Sequence, residues 1–394
     1  MWRTAFALAF ALAFVFSYGL LFLITEEKLE SVVAQRRTDV FPGYFNDPKT
    51  VAVKDNGDEK SLLVQQPHIY LCSHYWMFSP IAISLFPEFP KPIMLHDANP
   101  ADYTENDIVI THPGLECDNT GLPGYPKHPG LRLGREQGPW KFPGKILYVN
   151  GEWHMDPRGE RDYHVGYIPD SDRSVQVFWI VILLLFGQLK QSNGQIFDHD
   201  RKPPPNNGKH FLLYVASHCV DYREDAFDAL ANIDEVHYGG ACRGAAYGRN
   251  SDWEHPNIKP APAKSNFDKS QLAKNSDFYH DYRFALVMEN KNHDGYVSEK
   301  IVNAFLGGVV PIYYGTPDIF KLFNRKAFIY YDIEKPQEAW KQIQYLENNK
   351  TAYEEMLAEP ILANGMETMS EYFSLEDDFG HGKLKNKIRS MMGL

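Results

Sequence analysis

The chain has 394 residues, room for two globular domains and flanking segments at ~100–200 residues per domain. Hydrophobic residues make up 44% and aromatics 14%, so large cores can be built and disorder is excluded as the default. A formal charge of -11 without a dense Lys/Arg stripe excludes nucleic acid as a partner, because phosphate neutralisation supplies most of such a protein's affinity.

In chain order, Ala5 to Ile24 comes first, a run of 20 uncharged residues, mostly Ala, Phe and Leu. A bilayer-crossing helix needs ~20 such residues, while a secretory signal carries an apolar region of only ~7–15. Residues 1–25 therefore read as a short tail and an uncleaved signal-anchor transmembrane helix, with a cleaved signal peptide as the competing reading. Charge does not orient it, since Arg3 precedes the run and Lys28, Arg36 and Arg37 follow. Residues 26–65 are polar and read as a stem.

Short apolar runs then alternate with loops. His68 to Cys72, Ile108 to Thr111 and Lys145 to Asn150 are expected as buried strands. Val175 to Leu189 is too short for a typical span and is expected to be a buried element. The Pro/Gly-rich stretch Lys202 to Gly208 marks a break between a domain at 66–202 and a second at 208–365, with a tail at 366–394. Beyond it, strands are expected at Phe211 to Ala216, Phe284 to Met288 and Val309 to Tyr314. Helices are expected at Arg223 to Ile233, Val297 to Leu306, Glu338 to Glu347 and Ala352 to Leu362. Strand–helix–strand order implies an α/β, Rossmann-like parallel sheet.

Four cysteines, Cys72, Cys117, Cys219 and Cys242, lie outside any CxxC pattern. Two disulfides with three possible connectivities stand beside four buried thiols. One glycosylation sequon begins at Asn349.

The densest chemistry lies in Phe284 to Gly315. A strand ends near Glu289-Asn290, a polar loop follows, and a helix begins. Ligands of such sheets sit at the carboxyl ends of strands, where helix N-termini favour phosphate. Tyr296, Glu299 and Lys300, at i, i+3 and i+4, would share one helical face, with Asn303 one turn on. Glu there can accept from ribose hydroxyls and Lys can neutralise a diphosphate. A solvated face with an ordinary Glu–Lys pair is the bland alternative. Arg223 opens a predicted helix, where the helix dipole disfavours a cation unless an anion bridges the two. Arg243 suits either a structural ion pair or a diphosphate.

The stretch Glu289-Asn290, Tyr296-Val297-Ser298-Glu299-Lys300, Gly308, Pro311-Ile312 and Gly315 resembles the signature of the α1,3/α1,4-fucosyltransferase family, glycosyltransferase family 10. Val215 to Cys219 with Arg223, Gly239 to Gly244, and Tyr148 to Glu152 extend the resemblance to roughly Lys145–Leu362. Ser298 stands where Thr is usual, Lys291 where Ser is usual, and Gly295 where many members have Asp. The resemblance implies a GT-B fold, two Rossmann-like domains with a cleft between them. It implies an inverting transfer of fucose from GDP-fucose to a glycan hydroxyl, through an α1,3 linkage to GlcNAc of a glycoprotein or glycolipid. Glu152 would be the catalytic base, with His154, Asp156 and Glu160 nearby. Arg223, Asn290, Tyr296, Glu299, Lys300 and Arg243 would bind the donor. No cofactor or metal is implied, and Asp170-Ser171-Asp172 reads as a turn. Localisation would be the Golgi membrane, single-pass type II with a lumenal catalytic domain, held by residues 5–24. The rival readings are a GT-B enzyme using another nucleotide sugar and an inactive glycan-binding protein on the same scaffold.

Overall fold

The computed structural model describes residues 67–72, 78–112, 142–151, 162–178, 197, 200–244, 255–262, 272–378 and 380–394. The expected anchor at 5–24, the stem and Glu152 lie outside these. Among the described residues no helix is long and apolar enough to cross a membrane.

Two six-stranded, fully parallel sheets make up the compact unit Gln65–Leu394. The first contains β1 (Ile69–Leu71), β2 (Ile93–Met94), β3 (Ile108–Thr111), β4 (Lys145–Val149), β5 (Asp162–Gly166) and β6 (Ser174–Gln176), in the order β2-β1-β3-β4-β5-β6. The second contains β7 (His210–Tyr214), β8 (Val236–Tyr238), β9 (Ile258–Pro260), β10 (Tyr282–Leu286), β11 (Val310–Tyr313) and β12 (Ile329–Tyr330), in the order β12-β11-β10-β7-β8-β9. Its central strands β7, β10 and β11 are nearly continuous apolar runs, as a sheet covered on both faces requires. In β10 and just beyond, Phe284 and Leu286 face one core while Ala285 and Val287 face the other.

Helices fill the connections: α1 (Phe78–Leu85) in the first half, then α2 (Asp221–Leu230), α3 (Lys300–Leu306), α4 (Ile319–Leu322), α5 (Pro336–Asn348) and α6 (Lys350–Ala358). The expected tail is two further helices, α7 (Met366–Tyr372) and α8 (Lys383–Met391). These return to the first half. Arg389 donates to the Leu85 carbonyl at 2.7 Å and pairs with Glu88 at 2.6 Å. Tyr372 meets Phe178 edge-on at 5.3 Å. One apolar core therefore runs from α1 and β4 through α3 to α8. The Pro-rich break is pinned rather than loose, because Asn206 Nδ2 donates to the carbonyls of Tyr279 at 3.0 Å and Gly307 at 2.9 Å. Of Val175 to Leu189, the described part is strand β6 and two fully buried residues, Val177 and Phe178.

The outer face of the first sheet holds a polar cluster that binary patterning does not foresee. Tyr148 stacks on His164 at 5.1 Å, and both His164 Nδ1 and Asp162 Oδ2 are buried without hydrogen-bond partners. Burial pushes the His164 imidazole from 6.5 down to about 4. The unfolded chain therefore takes up this proton first, so its contribution to stability is complete above about 6.5 and is lost as pH falls towards 4. Burial raises the Asp162 carboxyl against the opposing effect of Arg173, a contribution of opposite sign. We expect urea denaturation at pH 7 and pH 4.5 to show the wild type losing up to about 2–3 kcal/mol more than His164→Phe. Equal losses would place the pH-sensitive group elsewhere.

Candidate active site

In the second sheet the chain leaves β7 for β8 and β9 on one side, then returns to place β10 on the other. The carboxyl ends of β7 and β10 thus flank the topological switch point, where ligands of open α/β sheets bind. Arg223 follows β7, and the loop 287–299 follows β10.

Glu289 is the junction. Its backbone continues the pairing with β11, its N–H donating to the Tyr314 carbonyl at 2.7 Å. Its own carbonyl accepts from Tyr222 Oη at 2.5 Å and Arg223 Nε at 3.1 Å. Its carboxylate is fully buried and accepts from Ser298 N at 2.7 Å, Ser298 Oγ at 2.6 Å and Lys300 Nζ at 3.2 Å. One residue so joins the starts of α2 and α3. Burial works against the charge on Lys300, but Glu289 and Glu299 outweigh it and hold its pKa above the usual lysine value.

Arg223 is 2% exposed, yet it has no carboxylate partner. Nε and Nη1 donate to the carbonyls of Glu289 and His218, and Nη2 is buried with nothing to donate to. A buried cation satisfied only by carbonyls is costly. An anion arriving at Nη2 removes that cost through a charge-assisted hydrogen bond.

The loop between Glu289 and α3 places the other predicted residues. Asn290 keeps a buried Oδ1 without a partner. The helix begins at Lys300, not at Val297, so Tyr296 lies in the loop and Glu299 is the N-cap residue. The expected shared helical face of Tyr296, Glu299 and Lys300 does not exist. The Ser298 N–H, ahead of the helix, is taken by the Glu289 carboxylate. Tyr296 and Glu299 are nonetheless both buried. Asn303, inside the helix, also keeps a buried Oδ1 without a partner. Arg243 stands on the separate loop after β8, half-buried, with its guanidinium 5.4 Å from the Tyr238 ring centre.

The loops after β7 and β8 are locked together. Ala241 N and Cys242 N donate to the Ala216 carbonyl at 2.9 and 3.2 Å, and Cys219 and Cys242 form a disulfide. Gly240 is required there, since a Cβ would stand 2.1 Å from that carbonyl oxygen. Glu224 adds a tie by accepting from Tyr214 Oη at 2.6 Å and Gly244 N at 2.7 Å. Cys72 is also disulfide-bonded. Cys219, Glu224 and Cys242 are the one cluster of potential metal ligands among the described residues, and their two sulfurs are spent on each other. Asp170 turns the chain between β5 and β6, its Oδ1 accepting from Gln176 N at 2.8 Å. Glu152, His154, Asp156 and Glu160 lie beyond β4, outside the described residues.

Residues 206–358 match the family model of glycosyltransferase family 10 (fucosyltransferase), C-terminal part. Over 163 residues the chain is 32% identical to alpha-(1,3)-fucosyltransferase FucT of Helicobacter pylori, covering 41% of this chain and 29% of that protein. Over 147 residues it is 31% identical to GDP-fucose protein O-fucosyltransferase 3 of Homo sapiens, covering 36% and 28%. The chain therefore spans under a third of the length of either relative. A crystal structure of an alpha1,3-fucosyltransferase shares the fold with a TM-score of 0.52 at 20% identity, over 87% of this chain and 94% of that one. The form with GDP gives 0.50 at 19% identity over the same shares, 87% and 94%.

Removing the Glu289 carboxylate strands the Ser298 N–H and leaves Lys300 Nζ with Ser298 Oγ as its hydrogen-bond partner. We expect Glu289→Ala to cost about 3–5 kcal/mol of unfolding free energy, as breaking a buried pair from one side does. Denaturant titration checks it, and a loss under 1 kcal/mol would mean the junction is dispensable.

Proposed function

We propose, from a chain whose residues 206–358 form a glycosyltransferase family 10 C-terminal domain, that the protein transfers fucose from GDP-fucose to a glycan hydroxyl with inversion. The observation that carries this reading is Arg223, a buried guanidinium with one free edge and no carboxylate, beside the Lys300 ammonium. Two cations at a switch point suit a diphosphate.

In this reading the second sheet binds the donor. Arg223 and Lys300 stabilise the charge that develops on the leaving GDP, a site-based form of electrostatic catalysis. Asn290, Tyr296 and Glu299 orient nucleotide and sugar, with Arg243 as a further donor contact. Glu152 follows the end of β4 and takes the proton from the acceptor hydroxyl as that oxygen attacks the anomeric carbon. No metal or cofactor enters the scheme. The acceptor we propose is GlcNAc of a glycoprotein or glycolipid, joined through an α1,3 linkage. One relative's name gives an alpha-(1,3) linkage and the other's a protein acceptor, so glycan and protein acceptors both belong in the assay. Residues 5–24 would anchor the protein in the Golgi membrane with this unit in the lumen. The disulfides support an oxidising compartment, since cytosolic proteins rarely hold them.

Three outcomes test the scheme. Lys300→Ala should weaken GDP binding by roughly tenfold to a hundredfold, a charge-assisted hydrogen bond being worth ~1.5–3 kcal/mol. Calorimetric titration that shows no change would remove Lys300 from the donor site. Glu152→Gln should bind GDP as the wild type does, while single-turnover transfer slows by ~10²–10⁴-fold. Near-normal transfer would move the base to Asp156 or Glu160. Transfer should also survive exhaustive chelation, and a loss rescued by added metal would sink the cationic-clamp account.

A further inference from the structure

Two segments from opposite sheets touch through residues that have no part in the donor contacts described above, Tyr167 and Gln176 on one side and His293 and Gly295 on the other. One is the loop 290–298 after β10. The other is the turn 167–176, which joins β5 to β6 and contains Asp170-Ser171-Asp172. Asp170 holds both ends of that turn: Oδ1 accepts from Gln176 N at 2.8 Å, and Oδ2 accepts from Lys387 Nζ of α8 at 2.7 Å. Ser171 and Ser174 share a hydroxyl hydrogen bond of 2.7 Å. Gln176, the last residue of β6, donates Nε2 to the Tyr167 carbonyl at 3.1 Å.

Gly295 rests against that same carbonyl. Its φ is +74°, and a Cβ there would stand 2.2 Å from Tyr167 O and 2.9 Å from Gln176 Nε2. Two residues earlier, His293 meets the Tyr167 ring edge-on at 5.1 Å. From its other side Gly295 donates its N–H to Asp318 Oδ2 at 2.8 Å. The loop backbone is therefore held between the first sheet and α4, and it reaches Ser298, Glu299 and Lys300 within five residues. Both the positive φ and the lack of space demand glycine at this position.

We propose that Tyr167, Gln176 and Gly295 form a positioning clasp that fixes the loop 290–298 against the first sheet, and so sets the distance between bound donor and acceptor. The proposal rests on the fucosyltransferase reading. At Gly295 the contact is backbone against backbone, so rotation of a side chain at that position cannot relax it. The Gln176 amide fixes the carbonyl that Gly295 abuts, and Asp170 with Lys387 holds the turn that carries Gln176. Arg223, Glu289 and Lys300 all belong to the second sheet, so opening the clasp leaves the diphosphate partners in place. What changes is the alignment across the cleft, where an error of ~1 Å can cost on the order of 10²-fold in rate. Water then competes with the acceptor for the donor sugar.

The test uses the whole protein with GDP, GDP-fucose and N-acetyllactosamine. GDP affinity, single-turnover transfer and the ratio of transfer to GDP-fucose hydrolysis are measured for wild type, Gly295→Ala and Gln176→Ala. We expect GDP affinity to stay within about threefold, transfer to fall by roughly ten- to a hundredfold, and hydrolysis to take a larger share of the donor. Gln176→Ala removes a single hydrogen bond and decides the matter where Gly295→Ala does not fold. Unchanged rate and unchanged partition in Gln176→Ala overturn the clasp. A loss of GDP affinity equal to the loss of rate overturns it as well, because the loop would then serve nucleotide binding alone. A wild type that hydrolyses and transfers no fucose overturns the donor reading and the clasp with it.

Discussion

Glu289 brings a carboxylate to a fully buried place, and the starts of two helices arrange themselves around the residue. Its carboxylate collects Ser298 and Lys300, while its carbonyl collects Tyr222 and Arg223. A buried carboxylate must be satisfied in full or it costs several kcal/mol. Satisfying it fixes where the Lys300 ammonium stands, while the carbonyl of the same residue fixes how the Arg223 guanidinium is turned. The unused edge of Arg223 is a by-product of that arrangement: its other nitrogens are already committed to carbonyls, so Nη2 alone remains for an incoming ligand.

The surroundings are correspondingly stiff. The loops after β7 and β8 share a disulfide, a doubly used carbonyl at Ala216 and the Glu224 carboxylate. On the donor reading proposed above, ties of this kind hold the Arg223 side of the site in place before the ligand comes. They also keep the cost of ordering low when the ligand binds.

Three strands of the second sheet, β7, β10 and β11, were readable because their buried faces make each a nearly continuous apolar run. Phe211 to Ala216 and Val309 to Tyr314 were each placed within two residues of the observed β7 and β11. The signature from Glu289 to Gly315 marked the site region for the same reason, since so many constraints fall within thirty residues. What the sequence hid was the division of labour. Glu289 stood in the signature without a role, because its work is done through tertiary hydrogen bonds that no periodicity records. The helix start slipped from Val297 to Lys300 since the i, i+3, i+4 spacing of Tyr296, Glu299 and Lys300 matches a helix equally well when two of them precede it. Gly295 looked like a mere departure from the family pattern, whereas its neighbour is a carbonyl of the first sheet, some 128 residues earlier in the chain. Pairing of Cys219 with Cys242 likewise depends on two loop conformations, and spacing alone left three possibilities open.

The contact between Arg389 and Leu85 joins residues 304 positions apart. At a synthesis rate of about 5–20 residues per second, α8 emerges roughly 15–60 s after the α1 segment it packs on. Throughout that interval the apolar side of α1, with Phe78, Ile81 and Leu85, has no α8 to cover it. The first half of the nascent chain is thus a customer for chaperones until the last helix arrives.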